Sequence, residues 1–90
     1  MMLKSYPSID VHGETRDTVI YLINQFLKDN VIMNKRNVVI IHGKGEGILR
    51  KAVHEILKKS PLVEEFHLDG MNLGATEVIL KIKSKFDESL

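Results

Sequence analysis

The chain contains no cysteine, which removes three possibilities at once: a disulfide framework, a thiolate zinc site and a cysteine nucleophile. Chemistry, if there is any, falls to His, Asp, Glu, Lys or hydroxyl groups. Long apolar runs are also missing, since none approaches the roughly 20 residues that a membrane helix needs. The first residues, MMLKSYPSID, lack the apolar stretch of a secretory signal. A cytoplasmic protein with no membrane partner is the expectation. Excess charge is absent too: 13 basic residues against 12 acidic ones leave a net charge of +1, which does not announce a nucleic-acid binder.

What is present fits an ordinary globular domain. Ninety residues, 43% hydrophobic and 28% charged, allow one domain with one modest core. The core is expected over about residues 8–84, with both ends frayed. Charge is uneven along the chain. Lys28, Lys35, Arg36, Lys44, Arg50, Lys51, Lys58 and Lys59 form a basic middle broken only by Asp29, Glu46 and Glu55, and Glu64, Glu65 and Asp69 follow it. Local fields of this kind steer polyanions even when net charge does not.

Apolar periodicity gives the elements. Ile9 and Val11 alternate with Ser8, Asp10 and His12 in a short strand that puts Asp10 and His12 on one face. Thr15 is a suitable N-cap for a helix that carries Val19, Leu22, Ile23, Phe26 and Leu27 and reaches about Asp29. Val38 to Ile41 is apolar at every position, the pattern of a strand covered on both faces. A second helix presents Ile48, Leu49, Ala52, Val53, Ile56 and Leu57 on one side and Arg50, His54 and Lys58 on another, and Ser60-Pro61 stops it. Two further strands, Leu62 to Leu68 and Thr76 to about Lys83, flank the turn DGMNLG. Lys81, Lys83 and Lys85 suggest a solvated, edge-protecting face. The order β-α-β-α-β-β with right-handed crossovers puts both helices on one face, an α/β two-layer sandwich.

The segment VVIIHGKGEGILRKAV, Val38 to Val53, runs from an apolar strand through three alternating glycines into a helix. Such a junction offers unpaired N–H groups and the positive end of a helix dipole to an anion. Gly43, Gly45 and Gly47 let a phosphate come close, and Lys44, Arg50 and Lys51 add charge. The spacing G-x-G-x-G is neither that of the Walker loop nor that of the dinucleotide fold, so a nucleotide cofactor is disfavoured. Glycines that merely permit a tight turn are the competing explanation.

His12 and His42 hold equivalent places, each at a strand end before a glycine and a helix. In a parallel sheet those ends share the edge where α/β folds bind ligands. With Asp10 two residues before His12, the pair can act as general acid and base on a phosphodiester, because imidazole titrates near working pH. A divalent metal held by Asp10, His12 and His42 is equally compatible, and so is simple capping of strand ends by hydrogen bonds. His54 and His67 carry no such pattern and are expected to be solvated or packed.

Three segments, IDVHG (Ile9 to Gly13), IHGKGEGILR (Ile41 to Arg50) and GATEVIL (Gly74 to Leu80), occur in the order seen in the Smr (small MutS-related) domain. The resemblance covers nearly the whole chain. It implies a four-stranded mixed sheet similar to the C-terminal domain of translation initiation factor 3. It also implies nucleic-acid binding, with DNA-nicking or RNA-cleaving endonuclease activity in several members and action near ribosomes in others. Asp10, His12 and Gly13 match the family's Leu-Asp-Leu-His-Gly motif, with Ile9 and Val11 in place of its leucines. His42, Gly43, Gly45 and Gly47 match His-Gly-x-Gly-x-Gly, and Glu46 departs from the small or hydroxyl residue common there. No MutS ATPase segment is present. The resulting expectation is an endonuclease that acts on RNA in preference to DNA. In it Asp10 orients His12, His12 and His42 supply acid and base, and Gly13, the loop from Gly43 to Gly47, Arg50 and Lys51 hold the strand. A module that binds nucleic acid or ribosomes without cutting is the rival, and a protein-protein adaptor the third possibility.

Overall fold

The computed structural model describes residues 6–45 and 47–82. Its elements are β1 (Ser8–Asp10), α1 (Arg16–Ile32), β2 (Asn37–Ile41), α2 (Ile48–Lys59), β3 (Val63–Leu68) and β4 (Ala75–Leu80). The strands lie in the order β1-β2-β4-β3. β1 is parallel to β2, with Ile9 opposite Ile40, and β4 runs antiparallel to both β2 and β3. The α/β two-layer sandwich with a four-stranded mixed sheet is therefore the observed architecture.

The core lies between the sheet and the two helices. Val38, Ile40, Val78 and Leu80 point from the sheet into it, and Val19, Ile23 and Leu27 of α1 meet Val53 and Leu57 of α2 there. Thr15 accepts a hydrogen bond from the Thr18 N–H at 3.3 Å and so starts α1 where its sequence suggests. The helix continues three residues beyond Asp29, because Asn30 is buried and donates its amide to the Phe26 carbonyl at 2.8 Å. Nothing in the structure explains why the Asn30 side-chain oxygen has no partner among the described residues. Asn34, at φ 62°, then reverses the chain in the left-handed region that Asn tolerates. At the end of α2, Ser60 is extended (ψ 126°) as a residue before proline must be.

Three expectations need correction. Both faces of β2 are not covered: Val38 and Ile40 are buried under the helices, but Val39 and Ile41 are only half-buried on the face that carries no helix. Ile48 does not join the core; it is 72% exposed, because Gly47 turns the chain before α2 begins. The last strand, expected to carry an edge-protecting lysine face, is an inner strand: β4 lies between β2 and β3, and β1 and β3 are the edges. Lys81 lies just past β4, and Lys83 and Lys85, like Glu46 and the C-terminal FDESL, lie outside the described residues.

Candidate functional site

Parallel pairing of β1 with β2 brings their carboxyl ends side by side. The Val11 N–H donates to the Ile41 carbonyl at 2.8 Å, which extends the register one residue past β1 and sets His12 next to the His42-Gly43 peptide. A methyl group on Gly43 would lie 3.4 Å from the His12 Cβ. An open cleft of about 500 Å³ lies over this junction, lined by His12, Gly13, His42, Gly43, Lys44, Gly45, Gly47, Ile48, Leu49 and Arg50. Among the described residues expected to hold the strand, Lys51 alone falls outside this lining, and it lines the adjoining grooves along α2.

The two histidines have different surroundings. Asp10 Oδ1 accepts from the His12 backbone N–H at 3.0 Å and from its ring Nδ1–H at 2.6 Å. This short loop of bonds fixes the exposed imidazole with Nδ1 toward the carboxylate and Nε2 away from it. The hydrogen bond to Asp10, and secondarily the charge of that carboxylate, raises the His12 pKa above its ordinary value, and the same bond lowers that of Asp10.

His42 instead turns inward and is 3% exposed. Its Nδ1 lies 3.0 Å from the Gly43 carbonyl oxygen and its Nε2 lies 2.8 Å from Thr76 Oγ1. On the other side of the same hydroxyl is His54 Nε2, also at 2.8 Å. The His54 ring packs on Phe66 with centroids 5.0 Å apart and meets His42 edge-on at 6.0 Å. Burial, followed by the charge of His42, Arg50 and Lys58, lowers the His54 pKa. Both ring nitrogens of His42 are thus hydrogen-bonded inside the protein, whereas His12 is exposed; the two residues line the same cleft in different surroundings. His54, expected to be solvated or merely packed, is tied to the glycine loop through Thr76. The signal for this was the Thr within GATEVIL, whose register opposite Ile40 points it to the helix side.

The glycine loop is held from below by β4. The Gly74 carbonyl accepts from both the His42 and Gly43 N–H groups at 2.9 Å. The Gly43 N–H is therefore already paired, and what Gly43 contributes to the cleft is its shape (φ 89°). Gly74 lies close beneath the loop: a Cβ there would stand 3.2 Å from the Gly43 carbonyl carbon and from Lys44 Cγ, so a larger residue would push against the loop. Gly47 caps α2 in the left-handed region at φ 84° without any side-chain bond, and its Cα side is covered by the Arg50 guanidinium. Ile48, Leu49 and Arg50, the first turn of α2, line the cleft, and the leading N–H groups of a helix have no partner within it.

Two further expectations are resolved by this geometry. As placed, Asp10, His12 and His42 do not converge on one point, and no cluster of three metal-ligating side chains occurs among the described residues. The physical reason is that His42 has spent both ring nitrogens on Gly43 and Thr76. The basic middle is not one surface either. Lys44, Arg50 and Lys51 stand at the site, but Arg36 precedes β2 at the opposite end of the sheet and pairs with Glu64 at 3.1 Å. His67, as expected of a solvated residue, makes a surface pair with Glu77 at 2.9 Å. No helix among the described residues is long and apolar enough to cross a membrane.

Known proteins are similar to this chain in sequence and in fold. The Smr domain family model matches residues 9–81. Endonuclease MutS2 of Clostridium perfringens is 37% identical over 76 residues, 84% of this chain and 10% of that protein. Endonuclease MutS2 of Caldicellulosiruptor saccharolyticus is 48% identical over 63 residues, 70% of this chain and 8% of that protein. The chain thus spans about a tenth of the length of these relatives. The crystal structure of the Smr domain of Thermus thermophilus MutS2 superimposes with a TM-score of 0.80 at 28% identity, covering 83% of this chain and 98% of that one. YdaL, a stand-alone small MutS-related protein from Escherichia coli, gives a TM-score of 0.80 at 25% identity, covering 86% of this chain and 68% of that one. With its fold, its motifs and the family match over residues 9–81 in agreement, the chain belongs to the Smr domain family.

Proposed function

We propose that this domain is an endonuclease that cuts single-stranded RNA, with DNA as the poorer substrate. The observation that carries the reading is the Asp10–His12 pair, which leaves one imidazole nitrogen open in a cleft that also contains a glycine loop and a helix start. The phosphodiester lies against the N–H groups at the start of α2, with Lys44, Arg50 and Lys51 balancing its charge. Neutral His12 accepts a proton through Nε2 from the ribose 2′-hydroxyl as its oxygen bonds to phosphorus and the bond from phosphorus to the 5′-oxygen breaks. The products are a 2′,3′-cyclic phosphate and a 5′-oxygen that takes a proton from solvent, while Asp10 stabilises the imidazolium that forms. A ribose brings its own hydroxyl next to the phosphate, so one well-placed base is sufficient. Deoxyribose has none, and a water would need positioning by groups beyond the pair. The endonuclease names of the MutS2 relatives support the reaction class. Messenger RNA on ribosomes in the cytoplasm is the setting that the resemblance implies for such a cut.

The test is a pair of matched single-stranded oligomers, one RNA and one DNA, incubated with wild-type protein and with His12→Ala, each with and without exhaustive chelation. Cleavage of RNA that depends on His12 and survives chelation supports the proposal. RNA bound but never cut would leave a binding module, and the absence of any salt-sensitive affinity would point to a protein partner instead.

A further inference from the structure

His42 sits in the motif that first suggested chemistry, yet its surroundings are those of a fastener. For neutral rings, only one placement of protons satisfies every contact around it. The Gly43 carbonyl can only accept, so His42 Nδ1 carries the hydrogen and His42 Nε2 is a bare acceptor. Thr76 must then donate its hydroxyl proton to His42 Nε2, which leaves Thr76 Oγ1 to accept from His54 Nε2–H. The chain of donors therefore runs from His54 to Thr76 to His42 to Gly43. Every link is between 2.8 and 3.0 Å.

The last link determines which way the loop faces. In a trans peptide the carbonyl and the following N–H point in opposite directions. A Gly43 carbonyl held toward the His42 ring consequently aims the Lys44 N–H away from the ring. Gly43 adopts φ 89°, a conformation that imposes no direction of its own on a residue without a side chain. The hydrogen bond from His42, with the double clamp at Gly74, supplies that direction.

We propose that His42 is not a proton-transfer group but the organiser of the glycine loop, and that Thr76 and His54 are positioning residues that hold it in the Nδ1–H form. The phosphate-facing part of this inference rests on the nucleic-acid reading above; the internal hydrogen-bond chain does not. It divides the two family motifs by role. The first supplies the reacting imidazole through His12, and the second supplies a fixed peptide through His42.

Nitrogen-15 shifts of the imidazoles in the wild-type protein at pH 7 test the chain directly. The expected result is His42 with a protonated Nδ1 and an unprotonated Nε2, and His54 with a protonated Nε2. Thr76→Val keeps the shape and removes the relay. It should disturb the His42 ring signals and the Lys44 and Gly45 amides, leave those of Val78 and Leu80 in place, and weaken a single-stranded RNA oligomer about tenfold. Thr76→Ser, which restores a hydroxyl, should recover all three readouts. His42 found in the opposite tautomer in the wild type overturns the proposal, and so do unmoved Lys44 and Gly45 amides in a folded Thr76→Val protein. Should Thr76→Val not fold, the wild-type tautomers decide. The expected tautomers in a protein that never cuts RNA support the proposal and count only against the nuclease reading.

Discussion

Asp10 Oδ1 lies 2.6 Å from His12 Nδ1, and this contact determines which imidazole nitrogen the cleft receives. Asp10→Asn can retain the hydrogen bond while removing the charge. In wild type the raised His12 pKa means that the neutral base accumulates only as pH rises through a value above the usual 6.5. The variant should move that limb of the pH-rate profile to lower pH and reduce the plateau rate by roughly tenfold or more, and steady-state cleavage from pH 5 to 9 measures both. The pair favours the folded state between the lowered Asp10 pKa and the raised His12 pKa, and this contribution fades as pH falls through the first or rises through the second. Both groups face solvent, so thermal stability near neutrality should scarcely change.

Gly74 provides a steric test of the loop. Gly74→Ala places a methyl against the Gly43 carbonyl carbon and Lys44 Cγ, and the backbone atom cannot yield without moving the loop. Chemical denaturation should show a loss of about 1–3 kcal/mol, the range for overpacking. Gly70→Ala, which meets nothing within 4 Å, should stay within about 0.5 kcal/mol of wild type.

His54 should make folding sensitive to acid. Its pKa is lowered in the folded state, so below about pH 6.5 the unfolded chain binds a proton that the folded chain resists, and stability falls as pH falls. His12 has the opposite sign, because its folded pKa is raised. His54→Gln should therefore flatten the acid side of the stability curve between pH 7 and 5, whereas His12→Gln, at a solvent-facing position whose linkage lies above pH 6.5, should leave that side nearly unchanged. Equal slopes in all three proteins would remove His54 from the account.

Arg50 and Lys51 should each contribute to the salt dependence of RNA binding. Replacing either with Ala should reduce the slope of log affinity against log salt by about 0.7, the value for one phosphate contact on a single strand. Arg36→Ala, at the far end of the sheet and paired with Glu64, should leave the slope unchanged. A loss at Arg36 equal to that at Arg50 would favour the broad basic surface suggested by the linear sequence.

Much of this was legible in the residues because local rules dominate it. Alternation at Ile9 and Val11, the Thr15 cap and the Pro61 stop each act within a few residues, and they fixed the element order. What escaped depends on which strands pair. β4 enters between β2 and β3, so a strand read as an edge became central, and Thr76 came to lie between two histidines distant in sequence. The inward turn of His42 is of the same kind, because only the neighbouring strand supplies the hydroxyl that captures Nε2. The residues that line the cleft were legible in the sequence, but the inward turn of His42 beside an exposed His12 was not.

The most direct measurement is single-turnover cleavage of a single-stranded RNA oligomer by wild type and His12→Ala, with binding measured in parallel at one salt concentration. The account predicts that His12→Ala binds within a few-fold of wild type and cuts at least about a hundredfold more slowly, the scale of a lost general base. His12→Ala cutting at the wild-type rate would contradict it.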